Sequence, residues 1–434
     1  MIETIDRHQM PSLHALPEIT IPEAKKQKLD NGIPVYIINA GKQDILKVEF
    51  MFRNDVVSSK SPSLISSANK MLAEGTSAHT AMELAEMLDY YGSFFETEYS
   101  FDTSSVVLYT LSKHLEKSLV IIKEILFDAI FPEQELSTYK QNSRQHLIVN
   151  NEKVGYVARK KFNEMVFGST HAYGYVEKLE DYDTMQREEL RSVFSALYTK
   201  DNCTVLVAGK EPGDLMKVLN ANFGGSDWKK TGVLSSSVSG FGLNIKHGTQ
   251  NTKLFIEKKN SVQSAIRIGK PLFNKTNPDY AGMNVLNTVL GGYFGSRLMS
   301  NIREDKGYTY GIGSAVVSLL QGGYFFIAAE TGVKVTEPAI HEIYKEIERL
   351  KTEIIPTEEL SMVKNYLSGS FLRSFDGAFQ LADRCKGIII YGLNYDYFYN
   401  YLKVIKTITP EELRHLANKY FQNDSFYELV VGGK

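Results

Sequence analysis

The stretch Pro132–Lys140, PEQELSTYK, returns as Pro356–Lys364, PTEELSMVK, with proline, glutamate, leucine, serine and lysine in the same places. Farther along, EELRSVFSALYTKDNCTVLVAG from Glu188 is echoed by EELRHLANKYFQNDSFYELVVG from Glu411, and Phe167-Gly168 by Tyr391-Gly392. All the echoes stand at one period to within a residue, so the chain is a duplicated unit of about half its length. Two copies are too few for a solenoid. Each copy opens with a pair of β-rich runs, Val35–Ile38 with Leu46–Phe52 and Lys253–Lys258 with Ser264–Lys270, followed by a helix. In the first copy Phe94–Tyr99 and Thr103–Leu111 read as two further strands. Long helices follow, the PxxEL segments starting two of them with proline near the first turn, and a helix and a Gly-ended strand close each copy. The class is α+β, twice over.

Between the copies, Gly224–Gln250 is rich in Gly, Ser and Lys with few periodic apolar positions, the composition of a linker. The expected division is therefore 1–223, a linker over 224–250, and 251–434. That linker is long enough for the two units to sit apart with a cleft between them. At 434 residues, 43% hydrophobic and 23% charged, the composition is that of an ordinary globular protein, and no run approaches the ~20 apolar residues a membrane span needs. A net charge of −2 provides no basic field for a phosphate backbone, so neither nucleic acid nor membrane is an expected partner. The first residues carry no apolar core behind a basic start. Cytoplasm is the expected compartment, or the periplasm if the sequence is a trimmed piece. Two cysteines, Cys203 and Cys385, are too few for a disulfide framework or a thiolate metal site and read as packing residues.

Chemistry concentrates in Gly291–Gly313, GGYFGSRLMSNIREDKGYTYGIG, where Arg303 and Tyr310 share a glycine-rich turn region. Arginine supplies a permanent cation with a planar donor fork, and tyrosine a neutral phenol able to donate to a developing oxyanion. Neither attacks or abstracts protons here. The bland alternatives are an ion pair of Arg303 with Glu304 or Asp305, and a half-buried Tyr310 beside Tyr308. Gly291, Gly292 and Gly295 would let a backbone approach a peptide closely or would simply form a turn, and Arg297 reads as a packing or salt-bridge residue. None of the nine histidines forms an i,i+3 or i,i+4 pair, so no helix offers two imidazoles to one ion. Glu337 with His341 and Glu411 with His415 do have one-turn spacing, as exposed helix faces often do. The chain has no GxSxG, no GxxxxGK[ST] and no CxxC.

Together SRLMSNIREDKGYTY (Ser296–Tyr310), MLAEGTSAHT (from Met71), YYGSFFETEYSFDTSSV (from Tyr90) and the closing LVAG and VVGG strands resemble the inverted-zincin peptidases, the family of pitrilysin, insulinase and the mitochondrial processing peptidase. The resemblance covers nearly the whole chain. It implies an α+β fold of two homologous halves, each a pair of α+β subdomains with mostly antiparallel sheets, arranged as a clamshell. In that family a His-x-x-Glu-His helix binds zinc and carries the general base. The matching positions here are Ser66, Ser67, Ala68, Asn69 and Lys70, so both ligands and the base are replaced, while Ser61, Pro62 and the apolar face Leu64, Ile65, Ala68, Met71 and Leu72 still describe a helix. The third ligand of the family falls on an expected helix over Ser143–Lys153, with His146 and Glu152 as alternatives.

By the same resemblance, Arg303 and Tyr310 hold the substrate peptide and stabilise the tetrahedral intermediate at a facing zinc site. Phe94, Phe95 and Glu96 lie where a peptide would add as an extra strand, and Gly291 and Gly292 where its backbone would approach. This chain is then expected to bind no cofactor itself. Zinc would belong to a related zinc-bearing subunit, with a peptide as substrate and a hetero-oligomer as the working state, reduced to homodimer or monomer when isolated. A non-enzymatic scaffold of the same fold, and an independent peptidase with an altered metal site, are the competing expectations.

Overall fold

A computed structural model describes residues 20–58, 60–228 and 253–433. The first half runs β1 (Lys25–Lys28), β2 (Pro34–Asn39), β3 (Ile45–Arg53), α1 (Pro62–Lys70), α2 (Ala81–Tyr90), β4 (Phe94–Tyr99) and β5 (Thr103–Leu111). It continues with α3 (Leu115–Asp128), α4 (Glu133–Asn151), α5 (Val154–Phe167), α6 (Leu179–Asp183), α7 (Arg187–Leu197), β6 (Cys203–Gly209) and α8 (Leu215–Phe223). The second half repeats the plan: β7 (Lys253–Glu257), β8 (Gln263–Leu272), α9 (Tyr280–Asn287), β9 (Thr309–Leu319), β10 (Gly322–Gly332), α10 (Thr336–Thr352), α11 (Thr357–Arg373), α12 (Ala378–Ile390), α13 (Asp396–Thr407), α14 (Pro410–Tyr420) and β11 (Tyr427–Gly432).

Each half builds one sheet, ordered β1-β2-β6-β3-β5-β4 and β7-β11-β8-β10-β9. The pairing of α+β units is thus between the halves rather than within each. All pairings are antiparallel except β2 with β6 and β7 with β11, so each closing strand joins its sheet in the same way. The repeat read from the sequence lands on matching elements. Pro132 and Pro356 precede α4 and α11 as N-cap residues, one position outside the first turn where the pattern put them. Gly168 and Gly392, both at positive φ, follow the ends of α5 and α12.

The two halves interlock through an exchange that the sequence pattern does not reveal. In the first core, α1, α3, α7 and α8 cover one face of the first sheet, while Ile38, Met51, Leu206 and Ala208 on the other face pack against α12 of the second half. Conversely, Val154, Ala158 and Phe162 of α5 pack on Ala265, Leu429 and Val431 of the second sheet. Both sheets thereby bury both faces, which explains why β3 is buried along almost its whole length, Lys47 and Glu49 included. The expected cleft between the two units of one chain is occupied by these helices. Charge joins them as well: Lys386 of α12 pairs with Glu49 and Glu98, and Asp383 accepts from buried Lys47 at 2.7 Å.

The linker expected from Gly224 begins later. Trp228 is buried among Phe52, Phe127 and Phe223, and its indole donates to the Tyr198 carbonyl at 3.1 Å, so the first half extends to Trp228. The remainder of that stretch, 229–250, lies outside the described residues. Both cysteines are buried and free, and burial pushes each thiol above its ordinary range. Among the described residues no helix is long and apolar enough to cross a membrane.

Candidate functional site

The helix at the degenerate motif forms as its sequence requires. Ser61 caps it, its Oγ accepting from the Leu64 N–H at 3.3 Å, and Pro62 occupies the first turn. Leu64, Ile65, Ala68, Met71 and Leu72 enter the core. The three metal-motif positions end in three different environments. Ser66 is half-buried, Lys70 is exposed, and Asn69 is fully buried. The Asn69 amide donates to the Tyr198 hydroxyl at 2.9 Å and to the Ser105 carbonyl at 3.4 Å. A hydroxyl, an amide already committed to the core and a solvated ammonium do not fit zinc. Between them Ser67 bonds the Tyr139 hydroxyl at 3.0 Å, tying α1 to α4.

The third-ligand region resolves in the same direction. Its helix is α4, which ends at Asn151 rather than running on to Lys153. His146 is exposed on it, while Glu152 lies beyond its last turn and pairs with Lys258 of the other half at 3.0 Å. Glu337 with His341 and Glu411 with His415 are exposed on α10 and α14. Among the described residues no three His, Cys, Asp or Glu side chains gather as a metal site. His8, His14 and His247 lie outside them.

Arg303 and Tyr310 are placed by a different local logic. A π-helical turn, Met299–Asp305, anchors on buried Ile302, and Gly307 at φ +65 reverses the chain while Tyr308 N–H donates back to the Ile302 carbonyl at 3.0 Å. The Arg303 guanidinium lies over the Phe294 ring, 4.8 Å from its centroid, and no carboxylate among the described residues pairs with it. Neither Glu304 nor Asp305 does so. Tyr310 is 92% exposed, which sets aside the half-buried alternative. It stands near the start of β9, the open edge of the second sheet. The β9–β10 register slips between Ala329 and Thr331, and Thr309 Oγ1 fills the gap by donating to the Glu330 carbonyl at 2.6 Å. A bulge of this kind re-aims the neighbouring side chain outward. Beside Tyr310 opens a cavity of ≈ 310 Å³, lined also by Arg267 and Glu330. Arg267 stacks on Phe326, and burial draws its guanidinium below the ordinary range.

The glycines divide. Gly291 is buried, and a Cβ there would meet Ser314 Oγ at 2.6 Å, so this glycine lets the end of the α9 region pack against β9. Gly292 is partly exposed, with Asn287 and Thr288 close by. Arg297 makes the salt bridge its sequence suggested, two-pronged to Glu359 at 2.8 and 2.9 Å. Phe94 is 60% exposed, with Phe95 and Glu96 half-buried, on β4, which pairs only with β5. Both sheets therefore end in an open edge strand, β4 and β9, and their hairpin turns touch. The Leu320 N–H donates to Asp102 at 3.0 Å and the Gln321 N–H to the Tyr173 hydroxyl at 3.1 Å. No hydrogen bond or ion pair joins Arg303 or Tyr310 to Ser66, Asn69 or Lys70 among the described residues. Phe294, Thr309 and Arg267 were not legible as site residues. Phe294 had one signal, an isolated aromatic between Gly292 and Gly295.

The chain thus combines an intact helix without donors and an exposed cation–phenol pair on a duplicated α+β frame. Residues 184–367 match the family described as "Peptidase M16 inactive domain". The chain is thus similar to the M16 peptidases over those residues, and it carries Ser66, Asn69 and Lys70 where the resemblance would put the zinc motif. It is 23% identical over 363 residues to "Uncharacterized zinc protease YmxG" of Bacillus subtilis, covering 83% of this chain and 86% of the relative. Its fold is that of the crystal structure of a peptidase M16 inactive domain from Pseudomonas fluorescens, with TM-score 0.81 and 20% identity over 95% of this chain and 98% of that one. It also overlays the periplasmic protease PqqL from Escherichia coli with TM-score 0.73 and 14% identity, over 99% of this chain but 49% of that chain.

Proposed function

We propose that this chain is the non-zinc subunit of a heteromeric metallopeptidase. A zinc-bearing relative contributes the metal and the general base, and this chain contributes half of the peptide chamber together with Arg303 and Tyr310. The observation that carries the reading is the state of those two side chains: a guanidinium with no carboxylate partner among the described residues, on the turn that leads into β9, and a phenol in solvent on that edge strand. The fork of Arg303 suits a peptide carbonyl or carboxylate, and the Tyr310 hydroxyl suits the charge that gathers on the carbonyl oxygen during hydrolysis. The open edge at Phe94–Glu96 suits an added substrate strand. That this chain spans about half of the PqqL chain is in keeping with a working unit of two such bodies.

The test mixes the purified chain with a zinc-bearing relative. Chelator-sensitive peptide cleavage by the mixture, and none by either chain alone, is the expected result. Robust cleavage by this chain alone would overturn the reading. The match to a family described as inactive favours one competitor, a purely structural role in an assembly. Tyr310→Phe and Arg303→Gln decide between them, because a scaffold would keep full activity of the assembly with either substitution.

A further inference from the structure

The internal repeat supplies a comparison that points to a second binding site, remote in role from Arg303 and Tyr310. In the first half, Lys160 on α5 faces a carboxylate of its own half: Glu177 lies 3.7 Å from its ammonium and accepts from the Tyr182 hydroxyl at 2.7 Å. The counterpart of Lys160, counted back from the glycine that ends each exchanged helix, is Arg384 on α12. Where the chain after α5 returns Glu177, the chain after α12 returns Tyr397 and Tyr401.

The result is a cavity of ≈ 290 Å³ among α9, α11, α12 and α13, lined by Arg384, Lys275, Asn284 and the two phenols. Among the described residues neither Lys275 nor Arg384 makes an ion pair. Lys275 lies over the Tyr391 ring at 4.5 Å, and Arg384 at 6.0 Å from the Phe375 centroid. Burial, with the charge of Arg384 added to it, holds the Lys275 ammonium below its ordinary pKa, which is the mark of a cation without a counter-ion. One acid also lines the cavity, Asp383, but its Oδ1 is taken by Lys47 at 2.7 Å from the opposite sheet.

We propose that this cavity binds a small organic phosphate monoester, its dianion set between Lys275 and Arg384 and its apolar body against the tyrosine walls. Two cations that repel each other are better neutralised by a dianion than by a single carboxylate, and the Asn284 amide and the phenols supply further donors. The cavity volume admits one ring-sized group.

The probe is phenyl phosphate, titrated calorimetrically into the full chain in low-salt chloride buffer, with inorganic phosphate and benzoate as comparison ligands. Saturable binding of phenyl phosphate, tighter than either comparison ligand, is expected. Lys275→Met and Arg384→Met should each weaken it about tenfold or more, as loss of a charged hydrogen-bond donor does. Lys275→Arg, which keeps the charge, should retain most of the affinity and covers the case in which Lys275→Met does not fold. Absence of saturable binding overturns the site, as does unchanged affinity in both Lys275→Met and Arg384→Met, or in Arg384→Met alone where Lys275→Met does not fold. Benzoate binding as tightly as phenyl phosphate overturns the phosphate assignment.

Discussion

Asn69, which the resemblance sets against the family's general base, is a core residue in this structure. Its amide is buried and bonded to Tyr198, whose phenol burial pushes above its ordinary range, so this position now holds α1 to the strand–helix core. Tyr198→Phe leaves a buried donor poorly satisfied and is expected to cost about 1–3 kcal/mol, read from the midpoint of denaturant unfolding. Tyr310 predicts the opposite behaviour. Being almost wholly in solvent, its change to Phe should leave the unfolding midpoint in place while lowering the turnover of the mixed enzyme by about 10²–10³. A shift in stability with no loss of turnover would make Tyr310 a structural residue. Gly291 belongs with Asn69: Gly291→Ala drives a methyl against Ser314 and is expected to destabilise by about 1–3 kcal/mol. The three positions look alike in the sequence, as polar or small residues near a family motif. Burial, which depends on residues far along the chain, separates them.

At the scale of elements, the exchange of α5 and α12 is the feature with the largest energetic consequence. Lys386 of α12 reaches fully buried Glu49 and half-exposed Glu98. Burial opposes the charge of Lys386, but Glu49 and Glu98 together raise its pKa. For Glu98, burial pushes upward, and the hydrogen bond and charge of Lys386 outweigh it, so its carboxyl sits below the ordinary value. The signs follow from linkage. Glu98 contributes stability above its unfolded pKa of about 4.3 and loses it as pH falls through the lower folded value, while Lys386 contributes below about 10.4 and loses it as pH rises through its raised one. Glu98→Gln is therefore expected to lower stability at neutral pH and, by removing a contribution already lost in acid, to flatten the acid limb of the stability profile below about pH 4. A wild-type slope there would show that the pair does not couple to folding. Lys386→Met leaves buried Glu49 with Lys47 alone, 3.4 Å away, and should destabilise by less than the about 3–5 kcal/mol of a buried charge with no partner.

For the whole molecule, the exchange makes the two halves one folding unit. Each sheet buries a face only when the other half supplies its helix. A protease site inserted between residues 228 and 253, once cut, is expected to leave two fragments that co-elute and unfold in a single transition. Fragments that separate on gel filtration would show that the halves are held by the chain alone. Among the described strands β4 and β9 are each paired on one side only, and the proposed partner and peptide are read from those two edges.

Much of this was written locally. The repeat marked the duplication, alternation placed β4 and β5 at their observed bounds, and the cap and apolar face of α1 called for a helix whatever stands at its polar positions. What only the tertiary structure decided was which sheet each amphipathic helix would cover, that Gly291 packs against Ser314, that Tyr310 stands in solvent beside a bulge, and that Lys275 and Arg384 line one cavity. Periodicity specifies that a helix has an apolar face. It carries no information about which of two similar sheets, separated by half the chain, will bury that face.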